Sequence, residues 1–256
     1  MADSISGPGI LFVRSRLSPT SPTPLPEPLF LTWYDSEHIP EVVASSGIAS
    51  GFRYLDVDKT SPFGNVHNNK PFLAFYPMAD LAFTQGDEFR GIRVKSDLLP
   101  GSGVVYDMAE FDVGYLGFVG KAGEGGKGGA AFVVTVGIRP EGEVGGEEVE
   151  EYYGKQIGEV AKVQGYVRSL RFKLLYARTN AQSRKLKGLP PAEEEMVEMP
   201  TWLAIHEFKE VPGEEVLERL RTDPGEVMRE KGWGKTEIET HAWRLDRVHG
   251  EGKFFE

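Results

Sequence analysis

The sequence predicts an α+β protein: two tandem ferredoxin-like βαββαβ repeats that close on each other as an intramolecular dimeric α+β barrel. Three observations carry the expectation. A stretch recurs at an offset of 118 residues, the same order of strand-like and helix-like runs surrounds each copy, and a glycine-rich join separates them. The recurrence sets YDSEHIPEVVASSGIASGFRY (34–54) over YYGKQIGEVAKVQGYVRSLRF (152–172). Six of the 21 positions are identical: Tyr34/Tyr152, Ile39/Ile157, Glu41/Glu159, Val42/Val160, Gly47/Gly165 and Arg53/Arg171.

Taken in order, GILFVRSRL (9–17) and AAFVVTVGI (130–138) open the halves as strands rich in branched and aromatic residues. Each repeated stretch then supplies a helix and, at its end, a second strand. PFLAFYP (71–77) and PTWLAIHEF (200–208) follow as third strands, each opened by a proline. DLAFTQGDEFRGI and GEEVLERLRTD have a helical pattern, and GVVYDMAEFDV and KTEIETHAWRL close the halves as strands. The join GKAGEGGKGG (120–129) has six glycines in ten residues and reads as a flexible linker, which places the repeats at 1–124 and 125–256. The five prolines of SPTSPTPLPEP (18–28) and the charged stretch 179–199 read as surface loops, with a lid over a pocket as the alternative. A four-stranded sheet with helices on one face leaves its other face apolar. Two such sheets in one chain cover each other.

Composition narrows the chemistry. The 256 residues are 40% hydrophobic, enough for a sizeable core. A net charge of −10 argues against nucleic acid and anionic membrane as partners. The absence of cysteine excludes disulfides, thiolate nucleophiles and iron–sulfur clusters. With no apolar run long enough to span a bilayer and no leader pattern, a cytoplasmic location is expected. The motif that would mark a zinc protease, a phosphate loop or a serine hydrolase does not occur. No metal and no cofactor is therefore assigned.

The candidate site centres on His38. Tyr34, His38 and Val42 are spaced to share one helix face, and Pro40, which has no N–H and disfavours helical geometry at Ile39, predicts a kink or break there. Gly158 at the matching position predicts a weakened helix in the second half as well. Gln156 replaces His38 in that half and cannot titrate, so only the first half would carry a base; a purely structural histidine, tying the helix to a carbonyl, is the alternative. Arg53, matched by Arg171, would hold an anion in its planar fork or pair with a carboxylate at a sheet edge. Strand alternation sets Phe72, Ala74 and Tyr76 on one face, with Trp202, Ala204, His206 and Phe208 on the corresponding face of the other half. His241 and Trp243 share a face of the last strand. These rings could line a cavity for a flat, apolar molecule, or form ordinary core.

WYDSEHIPEV followed by GFRY resembles the aromatic, spacer, His-x-Pro signature of EthD-like proteins of the dimeric α+β barrel superfamily, in its tandem, fungal form. The resemblance covers the first repeat well and the second as a degraded copy. It implies a pocket between sheet and helices in a superfamily that includes cofactor-free monooxygenases, cyclases, isomerases, decarboxylases and haem enzymes, so fold does not settle reaction. The function expected is a cofactor-independent enzyme acting on a small aromatic or polyketide-like molecule by proton transfer, with decarboxylation first among cyclisation and isomerisation. His38, Tyr34 and Arg53 would be catalytic, and Trp33, Tyr54, Tyr76, Trp202, His206 and His241 would bind substrate. The alternatives are a non-catalytic ligand-binding or stress-response barrel, and a monooxygenase or haem-binding barrel. The chain is expected to be a monomeric pseudo-dimer or a homodimer.

Overall fold

The eight strands are β1 (Gly9–Leu17), β2 (Ser50–Asp56), β3 (Phe72–Met78), β4 (Ala109–Gly123), β5 (Phe132–Pro140), β6 (Tyr166–Arg178), β7 (Trp202–Phe208) and β8 (Thr236–Gly250). In the computed structural model, which describes residues 5–125, 129–191, 199–221 and 232–254, they close into one barrel in the order β1-β3-β2-β8-β5-β7-β6-β4. Every pairing is antiparallel. Cut at its two seams, β2 with β8 and β4 with β6, the ring yields β4-β1-β3-β2 and β8-β5-β7-β6, the same ferredoxin-like order twice. The duplication extends to register. Arg53 lies opposite Ala74 and Arg171 opposite Ala204, while Val13 and Val136 face those same alanines from the other side.

Both faces of β1 are buried, which is why it reads as an almost unbroken apolar run. Ile10 and Phe12 point into the barrel, where they meet Phe52, Tyr54, Phe75 and, from the second half, Phe172, Leu203 and Trp243. Phe254, close to the C-terminus, stacks on Phe75 with centroids 5.9 Å apart. Truncating such a ring to alanine costs roughly 3–5 kcal/mol. Leu11 and Val13 point the other way, towards the helical layer of the first half, in a cluster with Phe30, Trp33, Ala74 and Tyr76.

That layer begins with α1 (Glu27–Trp33), which Pro26 and Pro28 start, since the first helical N–H groups have no intrahelical partner to lose. Of the kink or break expected at Pro40, the break does not occur, and the helix is irregular there instead. Residues Tyr34–His38 form a π turn in which the Ile39 N–H bonds to the Tyr34 carbonyl, five residues back, and α2 (Ile39–Val43) continues from it. Ile39 keeps right-handed helical angles, φ −65° and ψ −41°. The wider turn absorbs a proline that an ordinary helix would have to bend around. Its second-half counterpart, α4 (Gly146–Val160), has no π turn and stays helical through Gly158, which sits in its last turn.

Other elements differ from expectation. The run 80–92 divides at Gly86 into a 3-10 segment (Leu81–Gln85) and the short helix α3 (Asp87–Gly91). The last strand of the first half starts at Ala109, later than read, and continues to Gly123, so residues 120–123 of the supposed linker pair with β6. Here glycine makes room: a Cβ at Gly114 would crowd Met199, one at Gly117 would crowd Leu175, and one at Gly120 would meet the Arg171 guanidinium. The stretch 179–199 is not all loop. Thr179 and Gln182 form a reciprocal capping box that starts α5 (Asn180–Leu186); residues 192–198 lie outside the described residues. Of GEEVLERLRTD, residues 214–221 are helical and the last two lie outside the described residues. No helix among the described residues is long and apolar enough to cross a membrane.

Candidate functional site

Between the outer face of the first-half sheet and its π-turn helix lies a cavity with about 590 Å³ of atom-free space, part of it open to solvent. The part of it that admits the centre of a water-sized molecule is about 60 Å³. Its floor is Leu11, Val13, Tyr76 and Val113, and its helical wall is Trp33, Tyr34, His38 and Val42. The i, i+4, i+8 spacing places those last three on one side, as alternation places Leu11, Val13 and Tyr76 on one face of the sheet.

The His38 ring is stacked. Its centroid lies 4.8 Å from that of Trp33 and 5.5 Å from that of Tyr34, with interplanar angles of 19° and 6°. Its Nδ1 is 3.1 Å from the Arg93 carbonyl oxygen. A carbonyl only accepts, so Nδ1 carries the proton and the neutral ring keeps its lone pair on Nε2. Glu41 fixes the Arg93 backbone in turn: its carboxylate accepts from the Arg93 N–H at 3.2 Å and from the guanidinium Nε at 3.1 Å. Burial lowers the His38 pKa from 6.5 to about 4, with the Lys187 ammonium also lowering it and the Arg93 carbonyl working the other way. The imidazole is therefore neutral at pH 7.

Three phenols share the cavity: Tyr34, Tyr76 and Tyr106. Burial raises the pKa of each, so all are hydrogen-bonding groups and not anions. The Tyr34 and Tyr76 hydroxyls lie close enough to shift each other's acidity, yet the buried Tyr76 hydroxyl has no hydrogen bond of satisfactory distance and angle. Phe89, Ile92, Val94, Val105 and Phe111 extend the wall, and the second half of the chain adds Arg178 at the end of β6 and Lys187 just after α5. The Lys187 ammonium donates to the carbonyls of Arg90 at 2.7 Å and Ile92 at 2.6 Å, closing the end of α3. Burial, helped by Arg178, lowers its pKa to about 8.

At the equivalent position in the second half the side chains bond to one another. The His206 Nε2–H donates to the Gln156 Oε1 at 3.0 Å, its Nδ1 accepts from the Ser169 hydroxyl at 2.8 Å, and Tyr166 lies 2.9 Å beyond Ser169. Burial lowers the His206 pKa to about 3. Gln156 stands where His38 stands and His206 where Tyr76 stands, so the pair that borders the cavity in the first half is replaced by a satisfied polar chain in the second.

No protein-family model matches the chain. The core atranone cluster (CAC) protein 1 of Stachybotrys chlorohalonatus (strain IBT 40285) is 30% identical to it over 232 residues, which are 89% of this chain and 93% of that protein. The chain belongs to the family of core atranone cluster protein 1. Among solved structures, an anthrone oxidase-like protein is similar in fold, with a TM-score of 0.55 and 14% identity over 98% of this chain and 96% of that one.

Of the residues singled out in the sequence, the structure brings Trp33, Tyr34, His38 and Tyr76 together. The other five lie elsewhere. Arg53 is fully buried at the β2–β8 seam, paired through Nε and Nη2 with Asp35 at 2.9 and 2.7 Å and with Asp246 at 2.5 Å, so its charge is already matched. Tyr54 points into the barrel and donates to the Ala130 carbonyl at 3.1 Å. Trp202 packs in the second-half core against α4. His206 is held as described, and His241 borders a separate polar hollow with Arg14 and Glu239. The two helix-covered faces lie on opposite flanks of a closed barrel, so their rings cannot line one cavity. Arg178, Lys187 and Tyr106 were not singled out. The signal for the first two was the Thr179-x-x-Gln182 capping box, which announces a helix close behind Arg178. Among the described residues no group of three or more histidine, aspartate or glutamate side chains is placed to hold a metal.

Proposed function

We propose that the chain is a small-molecule enzyme of the EthD-like type, acting on an aromatic or polyketide-like molecule by proton transfer at His38 without a cofactor. The observation that supports this most is the His38 ring itself. It is held in one tautomer by the Arg93 carbonyl, with Nε2 unprotonated, at the edge of an aromatic cavity. Aromatic walls suit a flat ligand, and the Tyr34 and Tyr76 hydroxyls are the groups that would orient a phenolic or carbonyl oxygen.

Decarboxylation of a hydroxylated aromatic acid illustrates the chemistry. Nε2 takes the phenolic proton and returns it to the ring carbon that bears the carboxylate. The carbon–carbon bond then breaks with its electron pair left on the ring, carbon dioxide departs, and the phenol oxygen regains a proton from water. A conjugate acid with a pKa of about 4 returns its proton readily. The uptake is the harder step, and an anionic substrate beside the ring favours the imidazolium and eases it. Cyclisation and isomerisation use the same two proton transfers.

The rival reading is a barrel that sequesters an apolar ligand, favoured by the low basicity that burial gives His38. A comparison of wild type with His38→Gln over a panel of hydroxylated aromatic acids separates the two. An enzyme loses turnover by roughly 100-fold or more in the variant and keeps its affinity. Ligand affinity in both forms with turnover in neither leaves the binding reading, and oxygen uptake coupled to turnover replaces proton transfer by oxygenation.

A further inference from the structure

We infer that the cavity selects an anionic aromatic ligand, a carboxylate in preference to its neutral counterpart, and that Arg178, reaching across from the second half of the chain, is the residue that does so. This deepens the functional proposal and rests on the cavity being a small-molecule site. Arg178 ends β6, where it pairs in register with Val113 of the cavity floor across the β4–β6 seam. Its side chain is buried, with 7% of the residue exposed. Its neighbours among the described residues carry no formal negative charge: the guanidinium lies 5.6 Å above the centre of the Tyr115 ring, and the buried phenol of Tyr106 is close enough to feel its charge. No carboxylate among the described residues forms an ion pair with it; the Tyr115 hydroxyl is in hydrogen-bond range of the guanidinium, and its Nε is buried without a partner.

The other buried guanidiniums among the described residues are matched. Arg53 has Asp35 and Asp246, Arg168 has Glu207 at 2.8 Å, Arg14 has Glu239 at 2.8 Å, and Arg184 has Asp107. A buried charge without a counterion is costly, and cation–π contact offsets only part of that cost. Among the described residues the cavity lining contains Arg178 and Lys187 and no aspartate or glutamate, in a chain whose net charge is −10. Lys187 spends its protons on backbone carbonyls; Arg178 does not. A planar carboxylate entering between Trp33 and Val113 would supply the missing acceptor, and the guanidinium fork matches it. Loss of that carboxylate in a reaction would also remove the charge that holds the ligand, which favours release of a neutral product.

The test is titration calorimetry of the whole chain with 3-hydroxy-2-naphthoate and with 2-naphthol, the same skeleton without the carboxylate. Wild type is expected to bind the acid roughly ten- to a hundredfold more tightly than the neutral compound, the range for a charge-assisted hydrogen bond. Arg178→Gln should abolish that preference while leaving affinity for 2-naphthol unchanged, and Arg178→Lys should restore part of it. His38→Gln should keep the preference. Equal affinity of wild type for both compounds overturns the inference even if Arg178→Gln fails to fold, and so does an Arg178→Gln variant that still prefers the acid. Those two results leave the cavity intact as a binding site. Failure of wild type to bind either compound overturns the cavity reading along with the inference.

Discussion

Acid should destabilise this protein earlier than carboxylate titration alone would, and His206 is the place to measure it. The residue is 0% exposed, and burial lowers its pKa from 6.5 to about 3. In the unfolded chain the imidazole takes up a proton as the pH falls through about 6.5; in the folded chain it stays neutral, because Nε2 already donates to Gln156 and Nδ1 accepts from Ser169. The unfolded state therefore binds more protons across that window, and stability is lost as the pH falls. Between about pH 7 and pH 5 the linkage relation gives a loss of about 2 kcal/mol for this one residue. The figure is insensitive to the folded pKa provided it lies near 4 or below, since the folded ring then binds almost no proton at pH 5. His38 and His241, each lowered to about 4 by burial, act in the same direction, His38 less strongly because its cavity is partly wet. Together the three remove about 5 kcal/mol, a large share of the roughly 5–15 kcal/mol of a typical domain. Urea denaturation of wild type and His206→Gln at both pH values isolates the single term. Wild type should lose about 2 kcal/mol more than the variant over that interval. Equal losses would refute the claim that the His206 ring is buried and neutral.

Further outcomes follow from other contacts. Arg53→Met leaves Asp35 with Arg247 and His249 alone and takes the Arg53 guanidinium from Asp246 at the β2–β8 seam, and should cost roughly 3–5 kcal/mol in denaturation, whereas a loss under about 1 kcal/mol would show the pair to be solvated. Gly9→Ala should destabilise by roughly 1–3 kcal/mol or more, because its Cβ would run into the Leu116 carbonyl, a backbone atom that cannot turn aside. Glu41→Gln loosens the Arg93 backbone that orients His38. It should lower turnover by roughly tenfold with little change in melting temperature, and unchanged turnover would remove Glu41 from the positioning chain. The acid limb of kcat/KM, which reports the free enzyme, should fall near pH 4; a limb near 6.5 would mean that His38 is solvated.

The duplication was legible because it is written in the residues that set register. Arg53 and Arg171, aligned by a simple offset, do lie opposite the matched alanines of the neighbouring strands. Strand alternation also sorted Tyr76 from Phe75 correctly, since a residue's face depends only on parity. What was not legible depends on contacts between the halves. A glycine-rich run looks like a linker from composition, but its residues 120–123 are strand, and Gly120, like Gly114 and Gly117 ahead of the run, leaves room for a side chain from elsewhere in the chain. Pro40 marks an irregularity in the helix without revealing that a π turn would absorb it. His206 and His241 look like cavity-lining rings until closure of the barrel sends their strands to other flanks. Arg178 was missed for the converse reason: nothing local ties the end of β6 to a cavity built by β1, β3 and the π-turn helix.

The most direct measurement is a crystal structure of the chain with 3-hydroxy-2-naphthoate bound. Density for the ring between Trp33 and the sheet, with an oxygen in hydrogen-bond range of the His38 Nε2 and the carboxylate at the Arg178 guanidinium, is the predicted result. Density in the polar hollow beside His241, or a ligand lying against His38 with Nε2 turned away from it, would contradict the account.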